Sequence, residues 1–372
     1  MRRILFLTGT RADFGKLKPL IQIVSQAPEF EYLIAATGMH LDDRYGRTEG
    51  EIIKSGFTHL VSFPNQGSDY SMDVTLARTV TGLSPIVKSF RPDLLVVHGD
   101  RVEALAGAIT GTLNNYLVAH IEGGEFSGTV DELMRHAITK LAHVHFVAND
   151  AARNVLLQLG ESPHSIFTIG SPEVDLMIGT SLPDLKSVKE YYAIPFDKYA
   201  LLAFHPVTTE EQLLQQQIDA LLEATEQSGD NFVAVYPNND HGSEIILKSL
   251  LRYQNSRHVR IIPSIRFEAF QTLLKNALYI VGNSSSGVRE AGVHGTPAIN
   301  VGTRQSGRNL TSQVRNVKGT AEDILLAIAD AKTRRRSSQF IFGDGQSAKR
   351  FLECLLSESV WQIPLQKIFF RT

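Results

Sequence analysis

The sequence contains a single cysteine, Cys354, among its 372 residues. One cysteine can form neither an intramolecular disulfide nor a multi-cysteine zinc site, so neither is expected to stabilise this chain. Lys and Arg total 37 while Asp and Glu total 39, which gives a formal net charge of -2. Without an excess of basic residues, binding to nucleic acid through phosphate neutralisation is not expected.

Long apolar runs are also missing, since no stretch reaches the roughly 18 apolar residues of a membrane helix. The apolar run at residues 4–7 follows a basic start but is too short for a signal peptide. These absences predict a cytoplasmic protein that does not bind a membrane. Apolar residues make up 43% and charged residues 20%, a balance typical of folded globular proteins. A length of 372 residues exceeds one typical hydrophobic core and predicts two domains.

Short apolar segments rich in branched residues alternate with amphipathic segments along the chain. In the first half, strands are predicted at residues 4–7, 32–36, 94–98, 116–121 and 144–148, with helices at 17–26, 74–90 and 131–141. The pattern restarts with strands at 199–204, 232–236, 259–262, 279–281 and 298–301, and helices at 210–227, 245–253, 268–276 and 322–332. Apolar strands separated by helices are typical of parallel sheets covered on both faces. The sequence therefore predicts an α/β fold with two Rossmann-like, doubly wound domains.

The predicted domain boundary lies near residue 180, which gives domains at residues 1–180 and 181–346. The segment 172–195 is rich in Ser, Pro and Asp and is the predicted linker. Two more helices, predicted at 347–356 and 361–370, are expected to pack back on the first domain. Doubly wound sheets bind ligands at the carboxyl ends of their strands, so a ligand is expected in a central cleft that both domains face.

Carboxylates follow the predicted strands of the first domain. Asp100 and Glu122 come after two strands, and Asp131 begins a helix that also carries Arg135. A single acid of this kind would most often form a surface ion pair, as Asp131 and Arg135 could at spacing i, i+4. Three acids close to Gly-rich strand ends favour general acid/base chemistry.

The loop after the first strand, at residues 8–16, combines small residues with Arg11 and Lys16. Small residues let backbone N–H groups approach an anion at a helix start. The loop is neither GxGxxG nor a Walker A motif, which disfavours nicotinamide and P-loop nucleotide binding. A tight turn with a surface arginine remains the alternative interpretation.

Histidines are dense in one part of the sequence, at His120, His136, His143 and His145. There is no HExxH motif, and His143 and His145 alternate along a strand, which places their rings on opposite faces. Because packed or hydrogen-bonded histidines are commoner than metal ligands, no metal site is expected.

Polar residues also follow the strands of the second domain, namely His205, Asn238, Ser284, Ser285 and Arg304. Hydroxyl and N–H groups at residues 283–287 suit a diphosphate, although an ordinary Asn/Ser helix cap is the alternative. Glu290, one turn into the following helix, could accept both hydroxyls of a ribose. We therefore interpret the second domain as the nucleotide-binding domain and the first as the chemical domain.

Several segments resemble the hydrolysing UDP-N-acetylglucosamine 2-epimerases, which include bacterial enzymes of the sialic acid pathway and half of an animal bifunctional epimerase/kinase. The segments are GTRADFGKLKPL, HGDRVEALAGA, HIEGGEFSGTVDELMRHAITKLAHVHF, FHPVTTE, YPNND, PSIRFEAF and GNSSSGVREAG, followed by GTRQSGR. They run in order from residue 4 to about residue 310. Non-hydrolysing relatives carry an HVEAGLR-like segment where this chain has HIEGGE, so the resemblance favours the hydrolysing branch.

The resemblance implies a GT-B-like fold, a UDP-sugar substrate and release of N-acetylmannosamine and UDP, the first step of sialic acid biosynthesis. It implies no cofactor, neither metal nor NAD, and a homodimer or homotetramer. The implied catalytic residues are Asp100, Glu122, Asp131, Arg135 and His205. The substrate-binding set is Arg11, Lys16, Arg101, His205, Asn238, Ile265, Ser284, Ser285, Glu290 and Arg304, with Ile265 where the family's backbone meets uracil.

The implied reaction requires acid/base groups on both faces of the sugar ring. A carboxylate removes the weakly acidic C2 proton as UDP departs, and the resulting 2-acetamidoglucal is hydrated at C1 and reprotonated at C2 from the opposite face. Our hypothesis is that Asp100 and Glu122 serve the elimination and that Asp131 assists the hydration.

Three alternatives remain open from the sequence. The first is a hydrolysing 2-epimerase of a modified UDP- or GDP-sugar of the legionaminic acid type. The second is a GT-B glycosyltransferase, and the third is a non-catalytic nucleotide-sugar sensor. The last two do not need three carboxylates clustered in the first domain.

Overall fold

The structure, a computed structural model, describes residues 1–43, 46–67, 71–126, 130–179, 182–237, 241–307 and 311–371. The chain divides into two compact units. The first comprises Met1–Glu125, Asp131–Gly179 and Phe342–Thr372, and the second comprises Phe126–Val130 and Thr180–Ile341.

The first unit contains a parallel sheet of seven strands. They are β1 (Arg2–Thr8), β2 (Phe30–Ala36), β3 (Leu60–Ser62), β4 (Leu94–His98), β5 (Leu117–Ile121), β6 (Val144–Val147) and β7 (Ile166–Thr168). Their order across the sheet is β3-β2-β1-β4-β5-β6-β7. Every residue of β4 and β5 is buried, and all of them are apolar except His98 and His120.

Seven helices accompany these strands in the described part of the chain. They are α1 (Arg11–Ser25), α2 (Glu49–Lys54), α3 (Met72–Phe90), α4 (Val102–Leu113), α5 (Val130–Leu141), α6 (Asp150–Gln158) and α7 (Pro172–Gly179). The side chain of Thr10 caps α1 by accepting the N–H of Asp13 at 3.1 Å. This cap ends the loop after β1 and starts the helix directly beside the carboxyl edge of the sheet.

The second unit repeats the same architecture. Its strands are β8 (Ala200–Ala203), β9 (Phe232–Val235), β10 (Val259–Ile262), β11 (Ile280–Gly282), β12 (Ala298–Val301) and β13 (Val314–Val317), in the parallel order β10-β9-β8-β11-β12-β13. Its helices are α8 (Leu185–Tyr191), α9 (Leu214–Gln227), α10 (Ser243–Leu251), α11 (Phe267–Asn276), α12 (Ser285–Val288), α13 (Glu290–His294) and α14 (Ala321–Thr333). Two parallel sheets with interleaved helices confirm the predicted α/β class and the two Rossmann-like folds.

The last part of the chain belongs to the first unit and contains α15 (Ser347–Leu356) and α16 (Glu358–Trp361). The backbone N–H groups of Ser347 and Ala348 donate to the carboxylate of Asp175, in α7, at 2.9 and 2.7 Å. The buried Phe351 packs against Phe146 of β6, with ring centroids 4.8 Å apart. Hydrogen bonds at its start and an apolar face thus attach α15 to the first unit.

The structure corrects three features of the predicted element map. The segment 172–195 is no simple linker, because it contains α7 and α8. Residues 361–370 are not helical: α16 ends at Trp361, and Pro364 soon follows, which cannot donate a helical hydrogen bond. The short strands β3, β7 and β13 were not predicted, because each has only two apolar residues. No helix in the described ranges is long and apolar enough to cross a membrane.

Candidate active site

In each sheet the strand order reverses at one point. Candidate residues follow the carboxyl ends of the strands at that point. In the first unit the reversal falls between β1 and β4, and in the second between β8 and β11. The loops after such neighbouring strands run to opposite faces of the sheet and leave room for a ligand. The register pairs His98 of β4 with Ile121 of β5, so Asp100 and Glu122 follow adjacent strand ends.

Asp100 is held by Arg135. The Arg135 guanidinium forms an ion pair with the Asp100 carboxylate and donates from Nη1 to the backbone oxygen of Glu125 at 2.8 Å. Arg135 is buried, and its fixed donor geometry holds the Asp100 carboxylate in one orientation. The structure thus brings together two of the predicted catalytic residues, while Asp131 lies in the same helix as Arg135, one turn before it.

Glu122 is only 5% exposed, and both of its carboxylate oxygens have partners. Oε1 accepts the hydroxyl of Ser171, while Oε2 lies 3.1 Å from Nε2 of His98 and 3.9 Å from Nζ of Lys16. The backbone of Glu122 has φ of +63°, in the left-handed region that non-glycine residues rarely adopt. Such a conformation persists where the surroundings fix it, and it is common at functional sites.

His98 and Asp13 are the main residues of this cluster that the sequence patterns did not identify. His98 ends β4, and its Nδ1 lies 3.0 Å from Oδ1 of Asp13 in α1. Burial alone would lower the pKa of His98, but contacts with Asp13 and Glu122 outweigh burial and raise the pKa to about 9. The sequence signal that could have identified His98 is its place at the last residue of a predicted strand.

The predicted binding cations of the first unit all contact carboxylates. Nζ of Lys16 is 2.7 Å from Oε2 of Glu173, in α7. An Nη of Arg11 is 2.8 Å from Oε1 of Glu51, in α2. Nε of Arg101, which precedes α4, is 3.4 Å from Oε2 of Glu103. The structure therefore places these cations at the carboxyl edge of the sheet, where Lys16 also approaches Glu122.

The dense histidines of the first unit have protein partners. His120 contacts the backbone oxygen of Gly99 through Nε2 at 2.7 Å, and burial lowers the pKa of His120 to about 3. His145 Nε2 is 3.1 Å from Oε2 of the buried Glu161. Across the part of the chain that the structure describes, no group of three or more His, Cys, Asp or Glu residues could hold a metal ion.

In the second unit, Asn283 ties together the loops that follow β8 and β11. Its Oδ1 accepts the backbone N–H of His205 at 2.7 Å, and its Nδ2 donates to the backbone oxygen of His205 at 2.8 Å. Arg304 donates to the backbone oxygen of Asn283 at 3.4 Å. Burial of the ring, with Arg304 nearby, lowers the pKa of His205 to about 3, so its imidazole is neutral near pH 7.

Glu290 is fixed by a chain of side-chain hydrogen bonds. Its Oε2 accepts from Nε2 of Gln271 at 3.0 Å, and Oε1 of Gln271 lies 2.9 Å from Nε2 of His294. Burial, together with Lys275, lowers the pKa of His294 to about 4, so the neutral ring donates from Nε2. These hydrogen bonds give Glu290 a defined orientation at the start of α13.

Two of the remaining predicted binding residues, Ser284 and Ser285, follow β11. Ser284 caps α12 by accepting the N–H of Ser286 at 3.3 Å, and Ser285 is the first residue of that helix. Ile265 is half-buried between β10 and α11. Asn238 lies outside the described residues.

The sequence matches the family model described as UDP-N-acetylglucosamine 2-epimerase over residues 22–356. It is 45% identical, over 99% of both chains, to the UDP-N-acetylglucosamine 2-epimerase of Neisseria meningitidis serogroup B. It is 34% identical to the UDP-N,N'-diacetylbacillosamine 2-epimerase (hydrolyzing) of Legionella pneumophila, over 95% of this chain and 96% of that protein. The polysialic acid biosynthesis protein P7 of Escherichia coli is 31% identical, over 83% of this chain and 80% of its own.

Solved structures share the fold. Methanocaldococcus jannaschii UDP-GlcNAc 2-epimerase, in complex with UDP-GlcNAc and UDP, has a TM-score of 0.83 at 20% identity, covering 96% of this chain and 99% of its own. The Neisseria meningitidis UDP-GlcNAc 2-epimerase bound to UDP-GlcNAc has a TM-score of 0.79 at 17% identity, covering 95% and 99%. These likenesses confirm the GT-B-like fold. With the family model and the curated relatives, they show that the chain belongs to the UDP-N-acetylglucosamine 2-epimerase family.

Proposed function

We propose that this chain is a hydrolysing UDP-N-acetylglucosamine 2-epimerase, which converts UDP-N-acetylglucosamine to N-acetylmannosamine and UDP. The observation that carries the proposal is the pair of strand-end carboxylates, each held by cationic side chains. Asp100 contacts Arg135, and Glu122 contacts His98 and Lys16. Oriented acids on adjacent strands suit proton transfer to and from a sugar carbon.

The proposed reaction has two stages. In the elimination, the C2–H bond breaks and its proton passes to a carboxylate. The electron pair forms the C1–C2 double bond, and the C1–O bond breaks as UDP leaves. In the second stage, water adds through its oxygen to C1, and a proton is delivered to C2 from the opposite face. We assign Asp100 and Glu122 to the elimination and Asp131 to the hydration.

We assign recognition of the UDP group to the second unit. Hydroxyl groups of Ser284 and Ser285 and the guanidinium of Arg304 are suited to the diphosphate oxygens. A neutral His205 can donate one ring N–H to a phosphate oxygen during departure of UDP. Glu290 is suited to accept both ribose hydroxyls, because an ionised carboxylate only accepts hydrogen bonds and has two oxygens to do so, and Gln271 orients it with a hydrogen bond at 3.0 Å.

Two observations support the hydrolysing reaction. Relatives named as hydrolyzing 2-epimerases are 34% and 29% identical to this chain. This chain also has Gly123-Gly124-Glu125 after Glu122, where the resemblance places a different segment in non-hydrolysing enzymes. A role in sialic acid biosynthesis is supported by the 31% identity to the polysialic acid biosynthesis protein. The homo-oligomer that the family suggests stays a prediction.

Incubation with UDP-N-acetylglucosamine in deuterated water tests this function. We expect free UDP and N-acetylmannosamine with one deuterium at C2, identified by mass and proton NMR. Retention of UDP on an epimerised sugar would overturn the hydrolysing assignment. Transfer of the sugar to an added acceptor would instead indicate a glycosyltransferase.

Substitution of the acids tests their assignment. Asp100→Asn and Glu122→Gln should slow elimination by at least about a hundredfold, within the usual range for loss of a general acid/base. Asp131→Asn should release 2-acetamidoglucal. The matched control is Asp150→Asn, an exposed acid at the start of α6, which should leave turnover unchanged. Glucal release by Asp100→Asn but not by Asp131→Asn would reverse the assignment.

A second candidate substrate has a specific observation in its favour. The Legionella relative, named for UDP-N,N'-diacetylbacillosamine, covers 95% of this chain at 34% identity. That sugar differs from N-acetylglucosamine at C4 and C6, far from the bonds that react. Parallel assays with both UDP-sugars compare kcat/KM directly. A higher kcat/KM for UDP-N,N'-diacetylbacillosamine would identify that sugar nucleotide as the preferred substrate of the same hydrolysing 2-epimerase reaction.

A further inference from the structure

His98 lies between two carboxylates that come from different elements of the first unit. Its Nδ1 is 3.0 Å from Oδ1 of Asp13, and its Nε2 is 3.1 Å from Oε2 of Glu122. The other oxygen of Asp13 accepts the backbone N–H of Gly9 at 3.1 Å, which fixes that carboxylate. A neutral imidazole has only one N–H, so only the imidazolium can present a proton to both carboxylates.

The charges around His98 also favour the imidazolium. Besides Asp13 and Glu122, the buried Glu173 of α7 lies close by, 2.7 Å from Nζ of Lys16, and Lys16 is 3.9 Å from Glu122. These contacts join three carboxylates to one ammonium, and protonation of His98 adds a second positive charge beside the carboxylates. Uncompensated charge is costly in a buried site, so protonation of His98 stabilises the cluster.

Two nearby titratable groups of the first unit contact other partners. His120 of β5 is neutral near pH 7, because burial lowers its pKa to about 3. Arg135 of α5 is directed to Asp100 and to the backbone of Glu125. The other Glu122 oxygen accepts the Ser171 hydroxyl, which carries no charge. His98 contacts Glu122 at 3.1 Å, closer than Lys16 at 3.9 Å.

We propose that His98 is a positioning residue for Glu122, held as an imidazolium by Asp13 so that the Glu122 carboxylate stays ionised and aimed for proton transfer. This inference rests on the proposed function, because it assigns the proton transfer to Glu122 during elimination. The proton moves from C2 to a Glu122 oxygen while the electron pair forms the C1–C2 double bond and UDP leaves. His98 keeps its own proton throughout.

The charge on His98 can be measured without any substrate. Nitrogen-15 NMR of histidine-labelled enzyme, with the His98 signals assigned by their loss in His98→Gln, should show two protonated ring nitrogens at pH 7.5. The contacts with Asp13 and Glu122 outweigh burial and place the pKa at about 9, so the ring should lose its proton only in alkaline solution. Asp13→Asn should move that titration to lower pH. A neutral His98 ring at pH 7.5 would overturn the proposal.

The pH dependence of turnover then tests the positioning role. His98→Gln keeps a hydrogen-bond donor for Glu122 but removes the positive charge. The acid limb of the kcat profile should therefore move to higher pH. The alkaline limb should disappear, because the ring that loses its proton there is gone. Asp13→Asn should move the alkaline limb to lower pH. At pH 7.5 we expect His98→Gln to lower kcat at least tenfold and to change KM less than twofold. The exposed His164→Gln is the matched control and should keep the unsubstituted profile.

A uniform loss of kcat at every pH, with both limbs in place, would show a merely structural role and overturn the proposal. Absence of turnover by the unsubstituted enzyme would overturn the proposed function and, with it, the role of Glu122. The NMR titration would still decide the charge of His98 in that case, so the two failures are distinguishable.

Discussion

Buried histidines occur in both units, and their neighbours give them different charges. His98 is flanked by two carboxylates, whereas the ring nitrogens of His40 contact the hydroxyls of Thr8 and Thr48 at 3.1 and 2.8 Å. Burial lowers the pKa of His40 to about 4, while the pKa of His98 rises to about 9. The sequence does not give the charge of such histidines, because the charge depends on partners that folding brings from distant segments.

The hydrogen bonds that link His294, Gln271 and Glu290 predict an effect of Gln271 on the affinity for UDP. Gln271→Leu removes the donor that orients Glu290, and we expect about tenfold weaker binding of UDP by calorimetry, or roughly 1.4 kcal/mol. The affinity for 2'-deoxy-UDP should fall less, because that ligand lacks one of the two hydroxyls assigned to Glu290. Gln227→Leu, in an exposed pair with Glu223, is the control. Equal losses for UDP and 2'-deoxy-UDP would contradict ribose recognition by Glu290.

The strand β11 can pair with β8 only because its last residue is a glycine. Gly282 has φ of +137°, and a Cβ there would lie 2.0 Å from the backbone oxygen of Ala203 in the paired strand β8. Neither backbone can move away without breaking the sheet that carries Asn283. The close approach of β8 and β11 at the order reversal therefore requires a residue without a side chain.

Gly282→Ala should lower the free energy of unfolding by at least about 3 kcal/mol, because backbone strain and a steric clash add. The control is Gly302→Ala, after β12, where φ is also positive at +79° but nothing lies within 4 Å of the added Cβ. The free energy of unfolding of Gly302→Ala should fall by only about 1 kcal/mol. Urea denaturation of both proteins measures the difference, and equal losses would argue against the clash with Ala203.

The elements that could be predicted are those with a strong local signal. The bounds of β4, β10 and β12 agree with the sequence prediction, because each is a compact run of mostly apolar or branched residues. The strand β13 has only two apolar residues among its four and gives no such run. The helix α7 was mistaken for part of a linker, since Pro172 and the acids that follow it are typical both of loops and of a first helical turn.

Across the whole molecule, the order of motifs along the chain was enough to predict the family and the fold, and both are confirmed. The pairing of site residues could not be predicted in this way. The spacing suggested only that Arg135 could pair with Asp131, whereas in the structure Arg135 contacts Asp100 and Lys16 contacts Glu173. Both contacts join residues far apart in sequence, so only the folded sheet defines them. The roles of the site residues stay predictions.

Lys367 contributes to the attachment of the C-terminal segment. Its Nζ is 2.5 Å from Oε2 of the fully buried Glu161 and donates to the backbone oxygens of Thr139 and Ala142 at 2.7 and 2.6 Å. Burial would raise the pKa of Glu161, but contacts with His145, Lys367 and Lys140 outweigh burial and lower the pKa to about 2. The carboxylate therefore stays charged near pH 7 and needs its cations.

Lys367→Met should destabilise the protein by about 3 kcal/mol, because it leaves a buried carboxylate short of one cation. Thermal unfolding and proteolysis of residues near the C-terminus measure the effect. Lys349→Met removes an exposed lysine that pairs with Glu353 at 4.0 Å, and it should change stability by less than about 1 kcal/mol. A similarly small effect of Lys367→Met would show that Lys140 alone neutralises Glu161.

The assembly of the first unit from separate chain segments has a consequence for synthesis on the ribosome. Phe342 accepts the backbone N–H of Ser171 at 2.6 Å, and the Ser171 hydroxyl in turn donates to Glu122. A nascent chain that has emerged only as far as residue 341 can already form the second sheet, whereas the first unit still lacks this support. On the ribosome the second unit can therefore fold before the first, which still needs the residues from Phe342 onwards to leave the exit tunnel.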